Sequence, residues 1–395
     1  MMNLGVPSLL VGKQIALVGA GPGGLTLARL LQMRGATVTV YERDASWEAR
    51  NQGGSLDLHP DSGLLAIREA KLERGFHGVA RPEGQHSKVL DKHGNELAEL
   101  RAEDEGVERP EIDRSELREL FLKSLEPGTV LWGMHLRQVT REGLGYRLDF
   151  ASSESVKADL VIGCDGAWSK VRSLRSSLTP LYSGVTFVET QLTSVDTRHP
   201  SIAKLVGSGN VLALGDNKAL MAQRNGEGHV RVYVALRVPE AWTRTSGINF
   251  QQPACARADL LEHFTDWAPS VVELLRASDD FFVPRPLYTF PPEQTWQVEP
   301  GVTLVGDAAH VMPPFTGRGA NMAMLDAVQL SNCLTSGEHG TVGEAFAAYE
   351  RQMLERMSSV IRETLASQNL LIADNVNAAI ARINGRKSIE HGGDR

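Results

Sequence analysis

Two glycine-rich signatures, with acids set beside and between them, carry the chemistry open to this chain. The first reads Gly19-Ala20-Gly21-Pro22-Gly23-Gly24. The second begins far downstream at Gly306-Asp307-Ala308-Ala309-His310 and continues through Pro314 to Gly317-Arg318-Gly319-Ala320-Asn321. In the first, Gly19 permits a tight turn, Gly21 lets the backbone approach a pyrophosphate, and Gly24 lets a helix pack closely on a strand. A helix N-terminus behind those glycines offers unpaired N–H groups and a positive dipole end to phosphates. Glu42 follows about 20 residues on, where a carboxylate accepts hydrogen bonds from an adenosine ribose and repels a 2′-phosphate. This favours FAD or NAD over NADP at the site. Asp307 stands at a strand end, where its carboxylate accepts hydrogen bonds from hydroxyls. A helix from about Gly319 would offer the positive end of its dipole to negative charge. With Asp165-Gly166 between them, the signatures point to FAD held along its whole length.

These residues need particular elements to position them. The apolar run 15–18 reads as a buried strand, 25–31 as a helix and 36–41 as a second strand, which completes a βαβ unit. Residues 50–60 read as a loop by their Gly, Asn and Pro content, and 61–71 as a helix. The spacing predicts a hairpin over 89–97 turning at His93-Gly94-Asn95, and a helix from Asp113 with Leu117, Leu120, Phe121 and Leu125 on its apolar face. Strands are expected over 129–132, 146–150, 158–163 and 302–305, and helices over 322–333 and 342–377. From Gly184 to Val238 the pattern alternates and is β-rich, with strands 219–223 and 229–238 flanking a turn at Arg224-Asn225-Gly226-Glu227-Gly228.

The expected fold is therefore α/β: a Rossmann-like FAD-binding domain with an inserted antiparallel β-sheet substrate domain and a C-terminal helix. Residues 1–75, 105–178 and 285–335 form the cofactor domain, 76–104 and 179–284 the substrate domain, and 341–380 the helix, with a polar, frayed tail at 387–395. At 395 residues the chain has length enough for this plan. A formal net charge of −7 and the lack of a basic stripe argue against nucleic acid as a partner. No apolar run reaches membrane-spanning length, and the first residues lack a signal-peptide pattern. Cys164, Cys255 and Cys333 are far apart, which predicts free thiols in a reducing cytoplasm and no metal site. The sequence leaves the oligomeric state open, a monomer included.

The glycine-rich start, Cys164-Asp165-Gly166 followed by Ser169-Lys170-Val171-Arg172, and Gly306-Asp307-Ala308-Ala309-His310 followed by Pro313-Pro314 together resemble the class A flavin monooxygenases, the para-hydroxybenzoate hydroxylase type. Within that class, Val40-Tyr41-Glu42-Arg43-Asp44, Gly53-Gly54-Ser55-Leu56-Asp57-Leu58-His59 and Pro110-Glu111-Ile112-Asp113-Arg114 are similar to the tetracycline-inactivating monooxygenases. The resemblance implies that Glu42 and Arg43 hold the adenosine end of FAD. It places Arg114 against the flavin side, Asp307 at the ribityl chain and Asp57 at a further FAD contact. Pro314, Gly317, Gly319, Ala320 and Asn321 would border the flavin, and Arg50 would serve NADPH. It further implies that NAD(P)H reduces FAD, that O2 adds at flavin C4a, and that the resulting hydroperoxide passes one oxygen to an aromatic or polycyclic substrate. Such chemistry belongs to the cofactor and needs no nucleophile set from the protein.

The chain departs from the pattern at Gly317-Arg318-Gly319, where the family carries Gln or Glu between the glycines. In the inserted sheet, Thr190 and Val211 fall where the tetracycline-inactivating enzymes place a glutamine and an arginine on substrate, and Met221, Gln223 and Tyr233 are candidates for the rest of the lining. His310 reads as a packing residue. A flavin halogenase would carry a Trp-x-Trp-x-Ile-Pro motif, which is missing here. A flavin dehydrogenase that inserts no oxygen shares the same frame and stays open on sequence alone.

Overall fold

The computed structural model describes residues 7–49, 53–100, 108–151, 154–296, 298–376 and 381. Arg50, Asn377 and the tail 387–395 lie outside the described residues.

The first half supplies β1 (Ile15–Val18), β2 (Val38–Tyr41), β3 (Ser55–Asp57), β4 (Ser87–Asp91), β5 (Glu96–Leu100), β6 (Glu111–Asp113), β7 (Val130–Leu131), β8 (Leu136–Glu142), β9 (Gly145–Phe150), β10 (Val156–Ala158) and β11 (Leu160–Gly163). The second supplies β12 (Leu181–Leu192), β13 (Asn210–Gly215), β14 (Lys218–Arg224), β15 (Val230–Arg237), β16 (Val283–Thr289) and β17 (Val302–Leu304). The helices used below are α1 (Pro22–Met33), α2 (Gly63–Glu69), α3 (Arg114–Ser124), α4 (Pro200–Val206), α5 (Pro253–Glu262), α6 (Pro269–Arg276), α7 (Asp307–His310), α8 (Arg318–Thr335) and α9 (Val342–Leu371).

A five-stranded parallel sheet is ordered β17-β11-β1-β2-β7. Its central strands are apolar on both faces because helices cover both; β1 and β11 are buried at every position. Both signatures and the Asp165 turn leave the carboxyl ends of adjacent strands β1, β17 and β11. That is where an open α/β sheet binds ligands. A seven-stranded sheet, ordered β16-β12-β15-β14-β13-β4-β5, lies beside it.

Several expectations shift at this level. The inserted sheet is mixed, since β13 pairs parallel with β4. Residues 55–57, expected as loop, form β3 and pair with β6; three residues are too few for a period of two to emerge from the sequence. The stretch from β12 to β13 contains helix α4, so the β-rich pattern is interrupted. The last helix ends at Leu371 rather than Asn377.

The two faces of the inserted sheet have different partners. Val188, Val211, Ala213, Leu220, Ala222, Val232 and Val234 pack against α4, α5 and α6. The opposite face, with Phe187, Leu212, Met221, Tyr233 and Leu287, gathers Phe315 from the second signature, Leu371 from the end of α9, and Ile372 and Val376 from the chain beyond it. Ile372 is fully buried there. Its segment is tied down by Arg237, which donates to the Ile372 carbonyl (2.7 Å), and by the Asn217 N–H on the Ala373 carbonyl (2.9 Å).

Candidate functional site

The first glycine turn is built as its spacing requires. Gly19 has φ +106°, and a Cβ added there would lie 2.3 Å from the Cys164 carbonyl oxygen. A Cβ on Gly24 would meet the Gly19 carbonyl at 2.2 Å. Gly21, by contrast, would meet nothing within 4 Å, so its bare backbone fronts open space at the start of α1. Glu42 is 5% exposed at the end of β2 and accepts hydrogen bonds from the Ala20 N–H (2.7 Å) and the Asp44 N–H (3.0 Å). Its carboxylate thus braces the glycine turn from beneath. Arg43, next in the chain, is exposed.

The second signature turns at Gly306, where φ is +64°, into the single turn α7. Gly306 caps that helix and Asp307 is its first residue. The Asp307 side chain stands open to the cleft, yet the protein mass around it pushes its carboxyl above the ordinary range, with His310 and Arg114 pulling the other way. Behind it, His310 is fully buried with Nε2 2.6 Å from Asp326, and the same carboxylate accepts the Gly306 N–H at 2.9 Å. Arg172 fastens α7. Its guanidinium lies 3.7 Å from the Phe290 ring centroid and donates to the Ala308 and Ala309 carbonyls, and burial lowers it to about 10.

Gly317 (φ +66°) caps α8, and Asp57 abuts it, since a Cβ on Gly317 would lie 2.6 Å from Asp57 Oδ1. Asn321 is fully buried with its amide spent on backbone. Oδ1 accepts from the His59 and Gly63 N–H groups, while Nδ2 donates to the Asp57 and Gly317 carbonyls. Pro314 is exposed, Ala320 is half-buried, and Gly319 would meet nothing within 4 Å if it carried a Cβ. Arg318 turns toward α9, 3.7 Å from Glu363. Asp165 accepts from the Lys170 N–H (2.7 Å) and keeps its Oδ1 buried without a partner among the described residues. Arg114 is exposed at the start of α3, close enough to act on both Asp307 and Tyr233. Two glycines fronting open space, a cleft-facing carboxylate and helix starts at α1 and α8 fit a long dinucleotide with a central pyrophosphate and sugar hydroxyls beside it.

Of the sheet candidates, Met221, Gln223 and Tyr233 lie on the cleft side. The Gln223 amide is already engaged, accepting from the Ser55 N–H (3.0 Å) and donating to the Ser55 carbonyl (3.3 Å), so it joins the sheet to β3. Thr190 and Val211 are corrections. Val211 packs against the helical layer, and Thr190 shares that face with Val188 and Leu192. A one-residue error of register sends a strand residue to the wrong side. The residues facing the cleft are Glu189 and Leu212.

A polar knot sets the sheet over the cleft. The Asp113 carboxylate accepts from the Gly226 N–H (3.0 Å) and from Asn225 Nδ2 (3.0 Å), and it pairs with Arg81, which also donates to the Arg224 carbonyl. Glu111 lies alongside, 5% exposed, with Oε2 unpartnered among the described residues. Burial pushes its carboxyl up to about 7 from 4.5; Asp57 adds to the push, and Ser55, Arg81 and Asn210 resist it. A raised acid favours folding while it stays protonated. That contribution is complete below about pH 4.5 and is lost as pH rises through about 7. Glu111→Gln is expected to remove this loss, about 3 kcal/mol in size. Urea unfolding at about pH 5 and about pH 8 checks it, and an unchanged gap between the two would contradict the assignment.

The sequence matches the model of the FAD binding domain family over residues 13–364. Monooxygenase penA of Penicillium thymicola is 30% identical, over 93% of this chain and 96% of its own length. Klebsiella pneumoniae HpxO, solved with FAD and uric acid, superposes at TM-score 0.79 and 20% identity, over 98% of this chain and 95% of its own. Tetracycline destructase Tet(51) superposes at TM-score 0.70 and 18% identity, over 96% and 95%. The two structural matches speak for the fold alone.

Proposed function

We propose, from the premise that the chain belongs to the FAD binding domain family and is an FAD-dependent monooxygenase, that it hydroxylates an aromatic or polycyclic small molecule held between the cofactor cleft and the inserted sheet. The observation carrying this reading is the cleft-facing cluster of Phe187, Met221, Tyr233, Leu287 and Phe315, an aromatic and aliphatic surface set over the second signature. Gly21 and the start of α1 would receive the FAD pyrophosphate, Glu42 and Arg43 the adenosine end, and Asp307 the ribityl hydroxyls. Asp57, Arg114, Asp165 and the α8 start from Pro314 to Asn321 would surround the ring system. Bound FAD, reduced by NAD(P)H, supplies the oxygen chemistry. The chain's residues do the rest: Phe187 and Phe315 exclude water, Met221 and Leu212 set the shape of the cavity, and the α8 N-terminus offers positive potential. Arg50 is proposed for NADPH. A cytoplasmic setting is supported by three widely separated cysteines.

Tetracycline is a poor fit. The cleft-facing residue beside Val211 is Leu212, so no arginine stands on that strand. NADPH or NADH consumption over a panel of phenols and tetracyclines, with product masses, tests the proposal. A product heavier by one oxygen is expected with an aromatic member, and steady cofactor oxidation without any oxygenated product would refute it. Met221→Ala is expected to raise KM for the best substrate about tenfold, the cost of an unfilled apolar contact. Flavin content should not change, and parallel loss of flavin would place Met221 elsewhere.

A further inference from the structure

The face of the inserted sheet turned away from the cleft carries α4, α5 and α6, and two cavities open in that helical layer. The larger, about 580 Å³, is walled by Ile202, Leu205 and Pro269 and rimmed by Lys88, Lys204, Arg276 and Glu273. The smaller, about 320 Å³, is lined by Leu261, Phe264, Trp267 and Val272. Pro269 and Arg276 line both, so the cavities adjoin across α6 as one elongated trough. Lys88 on β4 is half-buried and stands beside Val211, on the helical side of the sheet. The acid opposite it on β5, Glu99, lies 2.7 Å from His86. Lys88 and the exposed Lys204 have no hydrogen-bond or ion-pair partner among the described residues, whereas Arg276 pairs with Glu273 at 3.0 Å. Glu262 lines only the smaller cavity. The larger cavity thus carries two unanswered cations in a chain of net charge −7.

A half-buried ammonium that has given up water without gaining an acid favours an anion more than a fully solvated lysine does. Beside it, the aliphatic and aromatic walls favour an alkyl chain. The larger volume falls in the range of small-molecule sites, about 300–1,000 Å³, and the adjoining cavity gives room for length rather than breadth. We propose that this trough binds a medium-chain fatty acid, its carboxylate between Lys88 and Lys204 and its alkyl chain running along Ile202 and Leu205, past Pro269, toward Phe264 and Trp267. The inserted sheet separates the trough from the cleft, so the proposal does not depend on the monooxygenase reading.

The test is calorimetric titration of the FAD-loaded enzyme, near neutral pH, with acetate, octanoate, decanoate and octanol. Octanoate is expected to bind about tenfold more tightly than octanol, the usual weight of a charge-assisted hydrogen bond. Decanoate should gain about another tenfold from its two extra methylenes, and acetate should give no measurable heat. The visible flavin spectrum should not respond to any of the four. A Lys88→Gln, Lys204→Gln double variant should weaken decanoate about tenfold while melting temperature and flavin content hold. The matching pair of arginine substitutions, which keeps both charges, should retain binding within about threefold. Octanol binding as well as octanoate, no heat from decanoate, or native decanoate affinity in the glutamine double variant would each overturn the assignment. A flavin spectrum that shifts with decanoate would place the acid in the cleft and overturn it as well. If the glutamine variant fails to fold, the comparison of acid with alcohol and the arginine variant still decide.

Discussion

Asp307→Ala is expected to purify colourless and to take up added FAD only weakly. The carboxylate stands open in the cleft directly after the Gly306 turn, and that turn is pinned from behind by Asp326 and by Arg172 on the next carbonyls. The backbone should therefore keep its course when the side chain is cut. What disappears is the acceptor for buried hydroxyls, each worth about 1.5–3 kcal/mol when the acceptor is charged. The loss corresponds to FAD binding weaker by about a hundredfold or more. Because the protein mass around the Asp307 carboxyl raises it, FAD affinity of the native protein should begin to fall, as pH is lowered, sooner than for an ordinary aspartate. Equilibrium dialysis of the apoprotein with FAD measures both effects. A yellow Asp307→Ala protein with native affinity would remove Asp307 from the cofactor site.

Two alanine substitutions in one motif should fail in different ways. Gly19→Ala places a methyl 2.3 Å from the Cys164 carbonyl oxygen at φ +106°, so β1 and β11 must separate or the turn must rebuild. The expected cost is about 3 kcal/mol or more, read as insolubility or a large drop in melting temperature even without FAD. Gly21→Ala meets no atom within 4 Å, and φ −81° with ψ 179° suits any residue. Its apoprotein should melt as the wild type does, while its methyl occupies the space a pyrophosphate would take and FAD binding collapses. If Gly21→Ala binds FAD normally, the pyrophosphate lies elsewhere. If Gly19→Ala folds with native stability, the turn is looser than its contacts indicate.

The glycine turns, the parallel strands that carry them and Glu42 at the end of β2 were legible without coordinates. Each is a local pattern: an apolar run, a glycine that must be bare, an acid at a set distance. The resemblance to flavin monooxygenases rested on these same segments, which is why the glycine turns were legible and the faces of Thr190 and Val211 were not. Thr190 and Val211 fell to the wrong face because strand side chains alternate and one step of register reverses them. The β3–β6 pair escaped notice because its strands are three residues long each. Glu189, Arg231 and Arg285 are ordinary charged residues in the chain. Only pairing β12 with β15 and β16 brings them together on the face that Phe315 and Ile372 cover. Local periodicity thus determined the turns proposed for the cofactor. The face proposed for the substrate was decided by contacts between strands distant in sequence, because burial and charge pairing there depend on which neighbours the sheet supplies.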